Sequence, residues 1–466
     1  MLHTVDWNKI FKIALPVALQ SVLVSVLAMS DVFMVTGLGS SAVAAIGLAA
    51  KMHFVLILVM ASIGTGVSIL VAQYFSSNEP SGSQSFVLLG LLSGILLLIP
   101  ISLIFFILPE AMIMLLSDDK NLIEFGAVYL RLSVPLLFLT HIIIVYEGAL
   151  RSQANTMLPL IVAAIAIGIN ILLNYLLIHG FWQIPALGLA GAAIASDVAR
   201  LIQVILLLVY LGHKKHMFSI SALMTNFDLV IMHSKQFWQT TWPLCLNFSV
   251  WGLGTFAYHA IASISGTEAL AAVSLVSPIE SMYHSLFLGF VNACAILIGQ
   301  HLGKNEFAQA KLLAKLFSWG LPIISFAIGL LLIAFSPLFL PLIIGHDEVL
   351  LSLSQNLIYI MGLGFWLKTV NMVLIMGILR AGGDSRYVLF ADMFAMWVLA
   401  LPITWTVAAV FQLDYQWVFA CVLIEELVKF LLVLPRVKKE FWLKNMTQKG
   451  KNIDEDAQCE LTAIKI

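Results

Sequence analysis

The sequence predicts an all-α polytopic membrane protein whose 12 transmembrane helices form two pseudo-symmetric six-helix lobes. Three observations carry that prediction. Of the 466 residues, 61% are hydrophobic and only 11% are charged, whereas soluble globular proteins carry about 25% charge. Apolar runs long enough to cross a bilayer recur twelve times, and the first half of the chain returns in the second at a nearly constant offset.

The runs fall at about 10–36, 42–75, 86–108, 122–150, 157–179 and 184–211, then 237–264, 268–302, 312–343, 351–379, 387–411 and 415–437. Each reaches the ~20 residues that a helix needs to span the hydrocarbon. The first begins only a few residues into the chain and has no small-residue cleavage site, so it reads as a retained helix and not a signal peptide. Pro16 lies inside it and removes one helical hydrogen bond, which gives that span a place to bend. Cys245, Cys294 and Cys421 fall in apolar runs and Cys459 in a polar tail, a distribution that suggests no disulfide framework.

Residues 16–79 match 243–306 without a gap at an offset of 227. Pro16 pairs with Pro243, Gly39 with Gly266, Gln73 with Gln300, and Asn78-Glu79 with Asn305-Glu306. A later piece, GALRSQANT at 148–156, matches GILRAGGDS at 377–385 at an offset of 229. An even number of spans per half returns the chain to its starting side, so the halves share one orientation about an axis along the membrane normal. The expected organisation is an amino-terminal lobe over 1–211, a cytoplasmic linker over 212–236, a carboxyl-terminal lobe over 237–440 and a polar cytoplasmic tail over 441–466.

Basic residues set the orientation, because Lys and Arg concentrate in cytoplasmic loops. One side of the expected topology holds Lys9, Lys12, Arg151, Lys214, Lys215, Lys235, Lys304, Lys311, Arg380, Arg386, Arg436, Lys438 and Lys439; the other holds little beyond Lys120. Both termini are therefore expected in the cytoplasm. The acidic connectors 109–121 and 345–348 fall on the outer side.

Asp31 is the residue on which a functional reading turns. A carboxylate within a membrane span is expensive, and such acids face a cavity or pathway more often than they serve as interhelical glue. At ~1.5 Å per residue, Asp31 sits in the outer third of span 1. Asn170 and Asn174 of span 5 lie at a comparable depth and, four apart, on one helix face. Asn offers a carbonyl oxygen to a cation and an amide to a carboxylate, so this face serves Asp31 in either charge state. Gln20 shares the face of Asp31 three turns inward and is a candidate cavity-lining group. Asp197 with Arg200, three apart, and Glu425 with Lys429, four apart, are each placed to neutralise one another on a helix face. Glu147 lies near the cytoplasmic end of span 4, within expected reach of water. Lys51, Glu280, Lys368 and Asp392 have no opposite charge at helical spacing, and are expected to pair across helices or line a cavity. Tyr258 is the repeat mate of Asp31, so the titratable site belongs to the first half. Asp197, Glu147, Glu280 and Tyr258 join Gln20 as candidates for a substrate cavity.

Several motifs taken together, SDVFMVTGLGSSAVAAIGLA after the first proline, LRSQANTMLP, NILLNYLLIHG, GLAGAAIAS, LRAGGDS and RVKKEFWLKN, resemble the multidrug and toxic compound extrusion (MATE) family over nearly the whole chain. The resemblance implies a V-shaped pair of six-helix lobes that exports amphipathic, often cationic compounds in exchange for protons or sodium ions. It also implies that Asp31, Asn170 and Asn174 form the cation site and that Pro16 is a hinge. The chain departs from the family where some members carry an acid at the position of Asn174, and where others place acids in spans 7 and 10. Coupling is accordingly expected to rest on Asp31.

The expected activity is antiport by alternating access, with no enzymatic step, no metal and no cofactor beyond the coupling ion H+, or alternatively Na+. Proton coupling requires Asp31 to exchange its proton near neutral pH, and burial disfavours the charged form. An inward-moving cation gains ~2.3 kcal/mol per 100 mV of membrane potential. Sodium would instead require a cage of oxygens around Asp31. The partners expected are small drug-like molecules and the lipid bilayer of a bacterial inner membrane, with no nucleic acid and the chain as a monomer. A lipid-linked sugar flippase is the nearest alternative, although the chain has almost no Arg within its spans, Arg131 and Arg200 being the interior ones. A major facilitator is disfavoured because the loop between spans 2 and 3 is SSNEPSGSQS. No metal-ligand cluster, nucleophile elbow or phosphate loop suggests an enzyme, and a channel would show flux without counter-transport.

Overall fold

The structure, a computed structural model, describes residues 6–114, 119–180, 185–225, 227–345 and 347–447, without the side chains of residues 28, 29, 32, 40–43 and 267. Cys459, most of the expected tail (448–466) and parts of both acidic connectors (115–118 and 346) lie outside the described residues. Among the described residues there is no strand, and 12 long helical stretches account for nearly all of the chain. They are α1 (Trp7–Val35), α2 (Ser40–Ser76), α3 (Pro80–Ile107), α4 (Lys120–Leu132, resuming as Val134–Ser152), α5 (Met157–His179), α6 (Gly188–His213), α7 (Leu229–Ile264), α8 (Thr267–Gly303), α9 (Phe307–Ile344), α10 (Glu348–Leu379), α11 (Ser385–Val410) and α12 (Tyr415–Lys438). Short helices Pro109–Met114 and Ile220–Met224 lie in two of the connections.

Local chemistry sets the helix ends. The Asp119 side chain accepts the Asn121 N–H at 2.9 Å and opens α4, while Asp347 accepts the Leu350 N–H at 3.0 Å and opens α10. Each supplies a partner to a donor that the first turn leaves bare. The break in α4 at Ser133 follows from Pro135, which lacks the N–H for the ladder and whose ring crowds the preceding turn. The repeat extends to the backbone. Gly39 and Gly266, mates in the sequence match, precede α2 and α8 with φ of 100° and 104°, and Asn78 and Asn305 close those helices at 60° and 61°.

Ten of these helices are long and apolar enough to cross a membrane on length and composition, counted among the described residues. The two others, α7 and α12, have the length, at 36 and 24 residues, but are more polar, α12 through Glu425, Glu426 and Lys429. Both line a cavity described below, and this accounts for their polarity. Close approach of helices rests on small residues. A Cβ on Gly329 of α9 would lie 2.1 Å from the Gly362 oxygen of α10, so neither position has room for a side chain.

The chain divides into two compact units, Leu19–Thr241 and Met1–Ala18 with Trp242–Ile466. Helices α1 and α7 are each shared. The boundary in α1 falls just after Pro16, and that in α7 just before its repeat mate Pro243. The start of α1 is held within the second unit by edge-to-face packing of Phe11 on Phe290, with ring centroids 5.9 Å apart, and by Lys9 donating to Gln300 at 3.1 Å. Segment 212–236 contains the short helix Ile220–Met224 and the first turns of α7. In the Leu19–Thr241 unit the core runs through Val35, Leu98, Phe105, Leu130 and Ile178. A smaller cluster of the other unit joins Ile261, Met396, Leu401 and Val418.

Candidate functional site

In the first unit, α1 and α5 bring together the three polar groups that the sequence placed at one depth. The Asn174 amide nitrogen donates to Asp31 Oδ1 at 2.6 Å and to Asn170 Oδ1 at 2.9 Å, and Asn170 donates to Ser196 Oγ at 3.2 Å. Both asparagines are buried and Asp31 is half-buried. Asp31 forms no ion pair among the described residues. Arg200 lies within electrostatic reach of it without bonding to it. Asn174 Oδ1 is buried and has no hydrogen-bond partner among the described residues, so a neutral oxygen stands beside the carboxylate.

Toward the other end of α1, Gln20 ties α1 to α4. Its amide donates to Glu147 Oε1 at 2.7 Å, and Arg151 donates to Gln20 Oε1 at 2.9 Å and to Glu147 Oε2 at 2.8 Å. Gln203 of α6 approaches the same acid at 3.5 Å. Glu147 is thus buried in a closed cluster, and the expectation that it reaches water is corrected: three donors from three helices converge on it and replace hydration. The expected Asp197–Arg200 pair is also absent. Arg200 donates instead to Gln203 at 2.9 Å, drawn along the helix toward Glu147, and Asp197 Oδ1 is left buried without a hydrogen-bond partner among the described residues.

The second unit contains a cavity of about 380 Å³ walled by α7, α8, α10, α11 and α12. Tyr258 and Glu280, both candidates from the sequence, line it together with Lys368, Asp392, Glu425 and Lys429. The charges are organised in groups. Lys368 pairs with Glu280 across α10 and α8. Lys429 contacts Glu425 at 2.6 Å, as the spacing predicted, and also Asp392 at 3.4 Å. Tyr258 donates to Glu425 at 2.6 Å, and Asn371 donates to Glu426 at 2.7 Å. At a third place Asn247 donates to Asp392 at 2.6 Å and receives a bond of 2.6 Å from Arg380. Two of the helices widen where they meet this space. Val373–Leu379 of α10 and Phe394–Ala400 of α11 are π-helical, a form that recurs at functional sites because the extra residue per turn re-aims its neighbours.

Asn247, Asn371, Arg380 and Glu426 were not singled out from the sequence as site residues; Arg380 was counted among the basic residues of the cytoplasmic side and is only 5% exposed. The repeat held the signal. Asn247 is the mate of Gln20 at the 227 offset, while Arg380 and Glu426 are the mates of Arg151 and Asp197 at 229.

The duplicated halves also match a known pattern. The MatE family pattern covers residues 16–176 and again 243–406. The chain belongs to the MatE family. It is 25% identical over 417 residues to the "Probable multidrug resistance protein YoeA" of Bacillus subtilis, covering 88% of each chain. It is 23% identical to the "Probable multidrug resistance protein NorM" of Thermotoga maritima, covering 87% of this chain and 86% of that one. Among solved structures, the crystal structure of MATE in the straight conformation superposes with a TM-score of 0.83 at 17% identity, over 93% of this chain and 95% of that one. The fold is therefore the 12-helix, two-lobe MATE fold, and the protein is a multi-pass membrane transporter of that family.

Proposed function

We propose that this MatE family member is a secondary active multidrug exporter, which moves amphipathic or cationic organic compounds outward in exchange for an inward cation. Asp31 is the coupling group, with Asn170 and Asn174 as its partners, and the proton is the coupling ion. The observation that carries this reading is the contact of Asp31 with the Asn174 amide, at 2.6 Å inside the first apolar helix and without an ion-pair partner among the described residues. A carboxylate held by an amide accepts hydrogen bonds only; protonated, it becomes a donor. The Asn174 oxygen is then available to receive that proton's hydrogen bond. Charge and hydrogen-bond direction at α1 therefore change together.

Sodium is the second reading, since the carboxylate and the same Asn174 oxygen also suit a hard cation. Two such residues supply fewer oxygens than the roughly six or more that hard cations gather, which favours the proton. The names of the two relatives support drug-like compounds as substrates. Placing both termini in the cytoplasm fits the distribution of Lys and Arg along the chain, and the reading takes the chain as a monomer in a bacterial inner membrane.

The test is dye efflux from vesicles under an imposed pH or sodium gradient, native chain against Asp31→Asn. The expected result is efflux that follows the pH gradient and is lost in the variant. Efflux that tracks sodium and ignores pH overturns the choice of ion; undiminished efflux by Asp31→Asn removes that residue from the mechanism.

A further inference from the structure

The chain holds a second acid by an amide and by no cation. In the second unit Glu426 of α12 accepts the Asn371 amide at 2.7 Å through Oε2 and forms no ion pair among the described residues. The residue is half-buried and lines the 380 Å³ cavity, and its Oε1 takes no hydrogen bond among the described residues and keeps exposed surface. Asn371 Oδ1, on the same amide, is buried without a partner among the described residues, as Asn174 Oδ1 is beside Asp31. The repeat singles out the same position. At the 229 offset Asp197 and Arg200 of α6 return as Glu426 and Lys429 of α12. In neither helix does that acid contact that base: Arg200 turns to Gln203, and Lys429 to Glu425 and Asp392.

The charges of the cavity lead to the same residue. Histidines apart, four acids line it against three bases. Lys368 holds Glu280, Lys429 holds Glu425, and Asn247 links Asp392 to Arg380, so Glu426 is the acid left over. The groups that face it are Tyr258 of α7, Tyr283 of α8, Lys368 of α10 and, on its own helix, Glu425 and Lys429. From α11 comes Asp392, which Lys429 and Asn247 already engage. A carboxylate in surplus away from water is costly until a proton or another cation cancels its charge. We propose that Glu426 carries a proton while the cavity is empty and yields it to an entering amphipathic organic cation, so that the two exchange at one carboxylate. Protonated, the acid donates to Asn371 Oδ1 and still accepts from the amide nitrogen, which satisfies both groups. When the cation arrives the O–H bond breaks, its electron pair stays on the carboxylate, and the proton passes to water. Phe248, Trp251 and Phe419 on the walls offer ring faces to an aromatic cation. The walls that α7 and α10 give the cavity hold no acid, and the carboxylate of α12 supplies this role instead. The proposal rests on the proposed function for the cationic passenger alone and concerns a group outside the unit of Asp31.

The experiment adds tetraphenylphosphonium to the full chain in weakly buffered phosphatidylcholine nanodiscs and reads bound cation and released protons together, the latter with a pH dye. Saturable binding is expected to release about one proton per cation at about pH 6, and less as the pH rises and the acid empties beforehand. Glu426→Gln keeps a hydrogen-bonding side chain without the charge; it is expected to lower the release by about one proton per cation and to weaken binding about tenfold. Glu426→Asp keeps the acid and is expected to restore the release, which a merely structural role for Glu426 does not predict. Asp31→Asn is titrated in parallel. Absent saturable binding, binding without proton release at every pH, full release in folded Glu426→Gln, or no release in Glu426→Asp overturns the proposal. Release that is lost in Asp31→Asn and kept in Glu426→Gln assigns the proton to the first unit, which overturns this proposal and leaves the proposed function standing.

Discussion

Replacing Lys429 by Leu removes a buried cation on which two carboxylates rely. Lys429 is 6% exposed, and its ammonium lies 2.6 Å from Glu425 and 3.4 Å from Asp392. Its loss leaves Glu425 with the hydrogen bond from the Tyr258 hydroxyl but no cation beside it, and puts two uncompensated acids in the same cavity. Breaking a buried pair in this way costs about 3–5 kcal/mol. At roughly 2–4 °C per kcal/mol for a unit of this size, the unfolding midpoint falls on the order of 10 °C. The assay is thermal unfolding of the solubilised chain, followed by loss of the monodisperse peak on size exclusion. The double variant Lys429→Leu with Glu425→Leu removes charge of both signs and is expected to recover most of the loss, since an apolar replacement of a buried pair is often neutral. A single variant as stable as the native chain, or a double variant no better than the single, would refute the reasoning.

Two further outcomes follow from the helix contacts. Gly329→Ala forces a methyl to within 2.1 Å of the Gly362 oxygen and is expected to lose ~1–3 kcal/mol through overpacking, whereas Gly320→Ala meets nothing within 4 Å and should gain ~0.5–1 kcal/mol; paired melting curves with both shifts of one sign would contradict this. Pro16→Ala restores a helical N–H and is expected to stiffen α1 by ~3 kcal/mol, slowing dye efflux several-fold while equilibrium dye binding stays unchanged; an unaltered efflux rate would rule out the hinge.

The parts of this molecule legible in the sequence are those set by periodicity and repetition. Hydrophobic runs disclosed the helices because in lipid each helix must satisfy its own backbone, and the 227 offset disclosed the halves because the duplicated turns keep the same positive-φ positions, Gly39 with Gly266 and Asn78 with Asn305. Depth along two outward-running helices was enough to bring Asp31 to Asn174. What escaped was competition among neighbouring side chains for one partner. Spacing on α6 allowed Asp197 to meet Arg200, but Gln203 bonds the arginine instead. Arg380 follows the last helical turn of α10 and reads as a loop charge. Only the fold shows that Asn247, 133 residues away, accepts from it inside a cavity. The discontinuity at Ser133 was a local signal, Pro135, hidden by the unbroken apolar composition around it.

The division of α1 and α7 between units bears on how the chain is made. Residues up to Ala18 leave the ribosome first, yet their packing partners, Phe290 and Gln300 among them, are synthesised more than two hundred residues later. The opening turns of α1 must therefore wait in the bilayer for a surface that does not yet exist, and a fragment ending before α7 would hold an amino-terminal segment with nothing to dock on. Cutting the gene at the apparent midpoint would thus separate each half from a piece of itself, and only co-insertion of both fragments would return them.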